Sequence, residues 1–151
     1  MKRAAALAAT LAAAAVLSSP AGATIHPQSS IAGVQLGMTQ SEVTGVLGAP
    51  DSTETGNNEF GHFTVFRYFR LKVTFQGDTN VTAVKTSRRN ERTPRGVGVG
   101  STRAQVLANV LKVTCSKNEC HRGKFLPGRR VTVFPLFHGR VTSVLIGFVI
   151  D

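Results

Sequence analysis

Five basic residues fall within positions 85–95, and they have the types and spacing best suited to chemistry: Lys85, Arg88, Arg89, Arg92 and Arg95. A guanidinium group can donate two parallel hydrogen bonds to a carboxylate or a phosphate, so this cluster could clamp an anionic partner. The segment has no apolar periodicity and contains Pro94, which is also typical of a solvated linker. Both interpretations stay open on the sequence alone.

Catalysis has little support in the sequence. A nucleophilic mechanism needs a Ser or Cys beside an activating His, and no Gly-x-Ser-x-Gly turn is present. The histidines are expected in a leader, at a strand start, in a cysteine loop and in a hairpin turn: His26, His62, His121 and His138. The eight acidic residues are scattered, and positions 96–100 lack the following Lys-Ser/Thr of a phosphate loop. We therefore expect a protein that is not an enzyme and holds no cofactor. A hydrolase acting through His62 or His138 is the least favoured alternative.

Aromatic residues crowd one predicted hairpin: Phe60, Phe63, Phe66, Tyr68, Phe69 and Phe75. Alternation along a strand places Phe66 and Tyr68 on one face and Phe63 on the other. If one of these faces is exposed, Phe66 and Tyr68 become candidate anchors for a partner. Packing of the same rings in the core is the alternative.

The chain has two cysteines, Cys115 and Cys120, which enclose a short polar loop. An even pair in an exported chain predicts a disulfide that pins a local turn. A metal site using both thiols and His121 would need a further clustered ligand, and the sequence offers none. We expect the disulfide and no metal site.

The N-terminal segment predicts export. Lys2 and Arg3 precede an apolar run at 4–17, a breaker at 18–20 and the small residues of 21–23. This is the pattern of a signal peptide at 1–23, cleaved after Ala23, and the run is too short to span a membrane. No cysteine follows the cleavage position, so no lipid anchor is expected, and no later stretch is long enough for a membrane span. The predicted location is extracytoplasmic.

The charge balance favours acidic partners. Without Lys2 and Arg3 the chain carries 16 basic and 8 acidic residues, a formal charge of +8. An extracytoplasmic protein or an anionic cell-envelope polymer fits this charge. Nucleic acid does not, because the aromatics are not interleaved with the basic residues. The charge could also serve solubility alone. We expect the protein to be a monomer.

Two segments recur in the same order. Residues 33–43 are echoed by 96–106, and 81–84 are echoed by 141–144. Both copies of the longer segment contain a Thr followed three residues later by Glu or Gln, which predicts two capped helices. The sequence thus predicts a duplication: a leader at 24–30, a first unit at 31–87, a basic connector at 88–95 and a second unit at 96–151.

Each unit is predicted to be a helix plus a three-stranded antiparallel sheet. The first contributes strands at 62–68, 71–76 and 81–87 after a loop at 51–61, and the second contributes strands near 123–126, at 130–137 and at 140–150. The leader is expected to be poorly ordered. The predicted fold class is α+β: two tandem duplicated units in a two-layer body, with the helices on one face and the other face free.

The stretch from Gly33 to Pro50, with the following Val-x-Phe and Val-x-x-Val hairpin, resembles the SmpA/OmlA-like unit of small barrel-assembly lipoproteins. A tandem of such units in an exported protein is similar in plan to the β-lactamase inhibitory proteins. The resemblance implies the fold. From the residues we expect a non-enzymatic binding role through the sheet face or the basic connector. Inhibition of a secreted or periplasmic enzyme, or a structural role in which charge holds the protein to the cell envelope, is the alternative. The chain lacks the lipoprotein cysteine, and it has one cysteine pair, in the second half, where the inhibitors have a disulfide in each half.

Overall fold

The computed structural model describes residues 24–151, which form a mainly β structure with two short helices. The predicted signal peptide at 1–23 lies outside the described residues. No helix in the described part of the chain is long and apolar enough to cross a membrane.

The elements follow one another along the chain with short connections. The N-terminal strands and first helix are β1 (Ile25–His26), β2 (Ser30–Ile31), β3 (Val34–Gln35) and α1 (Gln40–Leu47). The next strands are β4 (Ser52–Asn58), β5 (Gly61–Tyr68), β6 (Leu71–Gln76) and β7 (Ala83–Thr86). The second half contains α2 (Arg103–Asn109), β8 (Val113–Cys115), β9 (Glu119–Arg122), β10 (Arg130–Phe137), β11 (Arg140–Val141) and β12 (Val144–Phe148).

A nine-stranded antiparallel sheet dominates the structure. Its strands lie in the order β4-β5-β6-β7-β12-β10-β9-β8, and β11 pairs with β10. The first half of the chain supplies β4 to β7 and the second half supplies the rest. The two halves meet where β7 pairs with β12, with Lys85 opposite Leu145.

The core lies on one face of this sheet. Strand side chains such as Phe75 and Ile146 form a single buried cluster with Ile31 of the small sheet β1-β2-β3 and with Val43 and Val106 of the two helices. The small sheet and the helices therefore cover the same face. The opposite face of the large sheet has no layer of secondary structure over it among the described residues, and we call it the open face.

The predicted α+β fold class, with two helix-plus-three-stranded units, is wrong, because β-structure dominates and the strands join in one large sheet. The first half contributes a fourth strand, β4, in the segment predicted as a loop. Its seven residues are polar and mostly exposed, yet all of them pair with β5. An edge strand of this kind is held by its neighbour, and its own sequence gives little sign of it.

The predicted strand near 123–126 is also wrong. The second half forms β8 and β9 instead, and the disulfide joins them at the register pair Cys115–Cys120. The predicted disulfide is thus confirmed. It closes the turn of a two-stranded hairpin, whose strands are too short to be predicted from alternation of apolar and polar residues.

The leader and the connector are more ordered than predicted. Ile25 is fully buried, and the backbone N–H groups of Thr24 and Ile25 both donate to the Arg92 carbonyl at 3.0 Å. Within the connector, Glu91 and Thr93 are buried. The N-terminal strand thus packs against the connector, a contact between distant parts of the chain that local composition could not reveal.

Both predicted helix caps are confirmed. Thr39 and Glu42 form a reciprocal capping box at α1, and Thr102 and Gln105 form one at α2. In each half, the glycine two residues before the capping Thr also donates a backbone hydrogen bond to the residue at the corresponding sheet turn. The Gly37 N–H donates to the Val81 carbonyl at 2.8 Å, and that of Gly100 donates to Val141 at 2.8 Å. The duplication itself stays a prediction.

Candidate functional site

A single row of register partners crosses the open face. It runs from β4 to β8 through Ser52, Arg67, Lys72, Lys85, Leu145, Val133, His121 and Thr114. Residues that face each other across neighbouring strands point to the same side of a sheet. Because Phe66, Val73 and Val84 point into the core, their chain neighbours in this row point away from it.

Three consecutive members of the row are cations. Lys72 on β6 lies between Arg67 on β5 and Lys85 on β7. Arg67 is ion-paired with Glu54 on β4, and its Nε lies 3.0 Å from the Glu54 carboxylate. Lys72 and Lys85 are both exposed, and neither has an acidic partner among the described residues. Directly opposed like charges destabilise a sheet, so this arrangement costs free energy.

Two adjoining clefts lie beside these cations. The first, of about 480 Å³, includes Arg67, Arg70, Lys72 and Lys85 in its lining. The second, of about 620 Å³, adds Arg89 and Arg140. The two clefts share three residues and form one continuous surface, which we call the cationic clefts: Arg70, Ser87 and Thr142.

The side chains that line the cationic clefts are predominantly basic, although Arg67 is paired with Glu54. Six basic side chains contribute to them, and within the described residues no Asp or Glu lines either cleft. Arg140 is oriented by its Nη1 group, which donates to the Gly100 carbonyl at 3.0 Å. Ser87 adds a hydroxyl group that can donate to an anion, whereas the Thr142 hydroxyl donates to the Pro135 carbonyl at 3.3 Å. The arrangement can bind a multiply charged anion through several charge-assisted hydrogen bonds.

The structure divides the residues predicted from sequence. Lys85, Tyr68 and Arg89 line the cationic clefts. Arg95 lines a separate cleft of about 220 Å³ beside Leu111.

The other three predicted residues are engaged elsewhere in the fold. Arg88 turns inward, where its Nη1 lies 3.2 Å from Glu91 Oε1 and its Nε donates to a backbone carbonyl at 2.8 Å. Arg92 donates to Ser101 Oγ at 3.2 Å. Phe66 is 7% exposed and belongs to the core, so it is not available to a partner.

Tyr68 combines a structural contact with its place in the cleft lining. Its hydroxyl donates to the Gly48 carbonyl at 3.0 Å, which ties β5 to the end of α1. Burial, together with the charge of Asp51, raises the pKa of Tyr68 above its ordinary value. The phenol therefore stays protonated near neutral pH and adds no negative charge to the clefts.

Four cleft residues were not singled out from the sequence: Arg67, Arg70, Lys72 and Arg140. Strand alternation carried a usable signal for two of them, because Arg67 and Lys72 occupy the non-core positions of predicted strands. Arg70 and Arg140 come together only through the pairing of β7 with β12, which joins the two halves.

The histidines named as catalytic alternatives have structural partners. His62 Nδ1 contacts Asp78 Oδ2, and Thr64 Oγ1 donates to the other Asp78 oxygen at 2.7 Å. The bond from Thr64 and the contact with His62 hold the pKa of Asp78 below its ordinary value. His138 packs edge-on against Phe137, with ring centroids 4.1 Å apart. These contacts tie turns to strands.

Comparisons with known proteins identify a similar fold and no family. The chain matches no model of a known protein family, and no curated protein matches it. A solved structure described as an extracellular protein containing a SCP domain from Bacillus anthracis str. Ames is similar, with a TM-score of 0.52 at 7% identity. The match covers 75% of this chain and 44% of that one, so this chain spans less than half the length of its structural neighbour. At this identity the likeness concerns the fold alone.

Proposed function

We propose that this protein is a non-enzymatic binding protein that acts outside the cytoplasm and holds an anionic ligand in the cationic clefts. The observation that carries this proposal is the charge of the lining: six basic side chains and, in the part of the chain that the structure describes, no acidic one. The formal charge of the whole chain, +10, favours the same class of partner.

The cost of the cation row supports a role in binding. Lys72 faces a cation on each side, and the two pairs together weaken the sheet by roughly 0.5–1 kcal/mol. Solubility alone does not call for this placement, because a charge elsewhere on the surface serves solubility without the repulsion. A bound anion would remove the repulsion and convert the cost into affinity.

The ligand chemistry follows from the lining. Four guanidinium groups and two ammonium groups suit phosphate or clustered carboxylate groups, which accept several charge-assisted hydrogen bonds at once. The predicted signal peptide supports a site of action outside the cytoplasm. So does the Cys115–Cys120 disulfide, because such bonds persist mainly in oxidising compartments.

The test compares two variants of equal charge. In the first, Lys72, Lys85 and Arg89 are replaced by Gln, and in the second Arg95, Lys112 and Lys117, which do not line the cationic clefts, are replaced by Gln. Binding of fluorescent polyphosphate and polyglutamate is measured by anisotropy as salt is raised. We expect the first variant to lose most of its affinity and the second to keep most of it. Equal losses in both variants would show that net charge acts without a site, and the proposal would then fail.

A further inference from the structure

The two most exposed large apolar side chains flank the cationic clefts. Phe69 is 74% exposed and Phe137 is 68% exposed. Phe69 precedes Arg70 in the chain, and Phe137 is the register partner of Arg140. Since Arg70 and Arg140 both line the second cleft, the two rings stand beside the same cationic surface.

Both rings lie at the same end of the sheet. Lys72 and Val133 lie in one register row. The β5–β6 turn with Phe69 lies beyond Lys72, and the end of β10 with Phe137 lies beyond Val133 on the same side. Neither ring belongs to the core cluster. Each has a cation or an imidazole as its neighbour: Arg70 lies 5.5 Å from the centre of the Phe69 ring, and His138 packs on Phe137.

We infer that this end of the molecule docks on an anionic lipid bilayer. The cations of the clefts contact the headgroup phosphates, and Phe69 and Phe137 insert into the boundary between headgroups and acyl chains. This inference rests on the proposed function and names its partner.

The separation of the apolar groups favours a bilayer over other anionic partners. A soluble polyanion offers nothing apolar to a phenyl ring. A protein interface is expected to use a contiguous apolar centre with a polar rim. Here the two rings are separate, because β7 and β12 lie between the strand ends that carry them. A bilayer surface offers negative charge at the headgroups and an apolar zone just below them, which matches two exposed rings beside a cationic surface.

The experiment measures sedimentation of the purified protein with lipid vesicles. The vesicles contain phosphatidylcholine alone or with roughly one-third phosphatidylglycerol, a lipid with a net negative headgroup. We expect binding to the anionic vesicles only. Replacing both Phe69 and Phe137 by Ser should weaken binding about a hundredfold, at about tenfold for each ring. The matched control replaces two exposed rings elsewhere, Phe60 and Phe125, and should bind within about twofold of the unmodified protein.

Insertion has its own optical test. The chain contains no Trp, so Phe69→Trp places a single reporter at one turn and Phe60→Trp places one at a turn remote from the clefts. We expect the emission of the Phe69→Trp variant to shift to shorter wavelength on anionic vesicles, and that of Phe60→Trp to stay unchanged. Vesicle binding without this shift, and without loss in the Phe69/Phe137 double variant, would overturn the inference.

Binding to soluble polyphosphate distinguishes the bilayer inference from the proposed function. A protein that binds soluble polyphosphate but not anionic vesicles would overturn the bilayer inference and leave the proposed function standing. A protein that binds neither would remove both. Vesicle binding that is lost in the Phe69/Phe137 variant, while polyphosphate binding is kept, is the expected result.

Discussion

Lys72→Gln should make the protein more stable while weakening its hold on anions. The side chain faces Arg67 on one side and Lys85 on the other. Gln is one atom shorter than Lys but still polar and compatible with its place in the β6 strand, and it removes the charge from both pairs. Since Arg67 is already partly neutralised by Glu54, the larger gain comes from the pair with Lys85.

The expected gain is modest and depends on salt. Two opposed like-charge pairs cost about 0.5 to 1 kcal/mol together at low ionic strength. In a domain of this size, about 1 kcal/mol moves the melting temperature by about 4 °C, so we expect a rise of about 2 to 4 °C. At 1 M salt the Debye length falls to about 3 Å, which is shorter than the distance between opposed side chains, and the gain should nearly vanish.

The assay is thermal unfolding followed by circular dichroism in low and high salt, with and without polyphosphate. Lys117→Gln is the control, because Lys117 is exposed in the disulfide loop, away from the cation row. Added polyphosphate should stabilise the unmodified protein more than the Lys72→Gln variant, and so reverse their order. A variant that melts lower at low salt, or that keeps its full gain at 1 M salt, would refute the electrostatic argument.

Other contacts allow single tests. Burial raises the pKa of Glu91 above its ordinary value of 4.5 although Arg88 opposes the shift. The raised pKa contributes its full stability at pH values below the pKa of Glu91 in the unfolded chain. This stability is lost as pH rises through the pKa of Glu91 in the folded protein. Urea unfolding from about pH 4 to about pH 7 should therefore show a growing advantage of Glu91→Gln over the unmodified protein, and an advantage that shrinks with rising pH would contradict this. Reduction of the Cys115–Cys120 disulfide should cost about 2 kcal/mol, because its loop is short, and a melting curve with reductant should still show a cooperative transition. Phe66→Ala should cost about 3 to 4 kcal/mol in urea unfolding, since the ring is buried in the core, and a loss below about 1 kcal/mol would contradict that placement.

Local signals allowed part of the fold to be predicted. The capping boxes at Thr39 and Thr102 depend on residues three positions apart, and the Cys115–Cys120 disulfide spans a short loop. The predicted hairpin turn at His138–Gly139 is confirmed too, and both residues have positive φ, at 49° and 73°. In each case the residues that decide the structure are neighbours in the sequence.

What was missed depends on partners that are distant in sequence or on burial by other elements. The polar segment 52–58 became a strand because β5 was available to pair with it. Ile25 became a core residue because its strand is held against the connector, where the Arg92 carbonyl accepts a hydrogen bond from the Ile25 N–H. The composition of each segment was read correctly as polar or apolar, but the tertiary contact decided its conformation.

The same limit applied to the candidate site. The sequence placed most of the candidate binding residues at positions 85–95, whereas in the structure the cations of the clefts come from several strands and turns. Lys85 and Arg89 remain in the cationic clefts, but Arg88 is directed inward to the buried carboxylate of Glu91. A run of basic residues in the sequence therefore predicts the position of a cationic surface less well than the register of the neighbouring strands does.

The two halves of the sheet differ in the charge of the residues that they contribute to the row across the open face. The row that crosses the open face is centred on Lys85 and Leu145, which face each other where the halves meet. One strand outward from this centre, the first half has Lys72 and the second has Val133. The two positions differ in exposure as well as in charge, because Lys72 is exposed and Val133 is buried. The cations of this row therefore all lie in the first half, where they repel one another, beside the clefts that Arg70 and Arg140 complete. That placement is costly in the free protein, and an anion between the side chains would offset the cost, which supports the binding site that we propose in the cationic clefts.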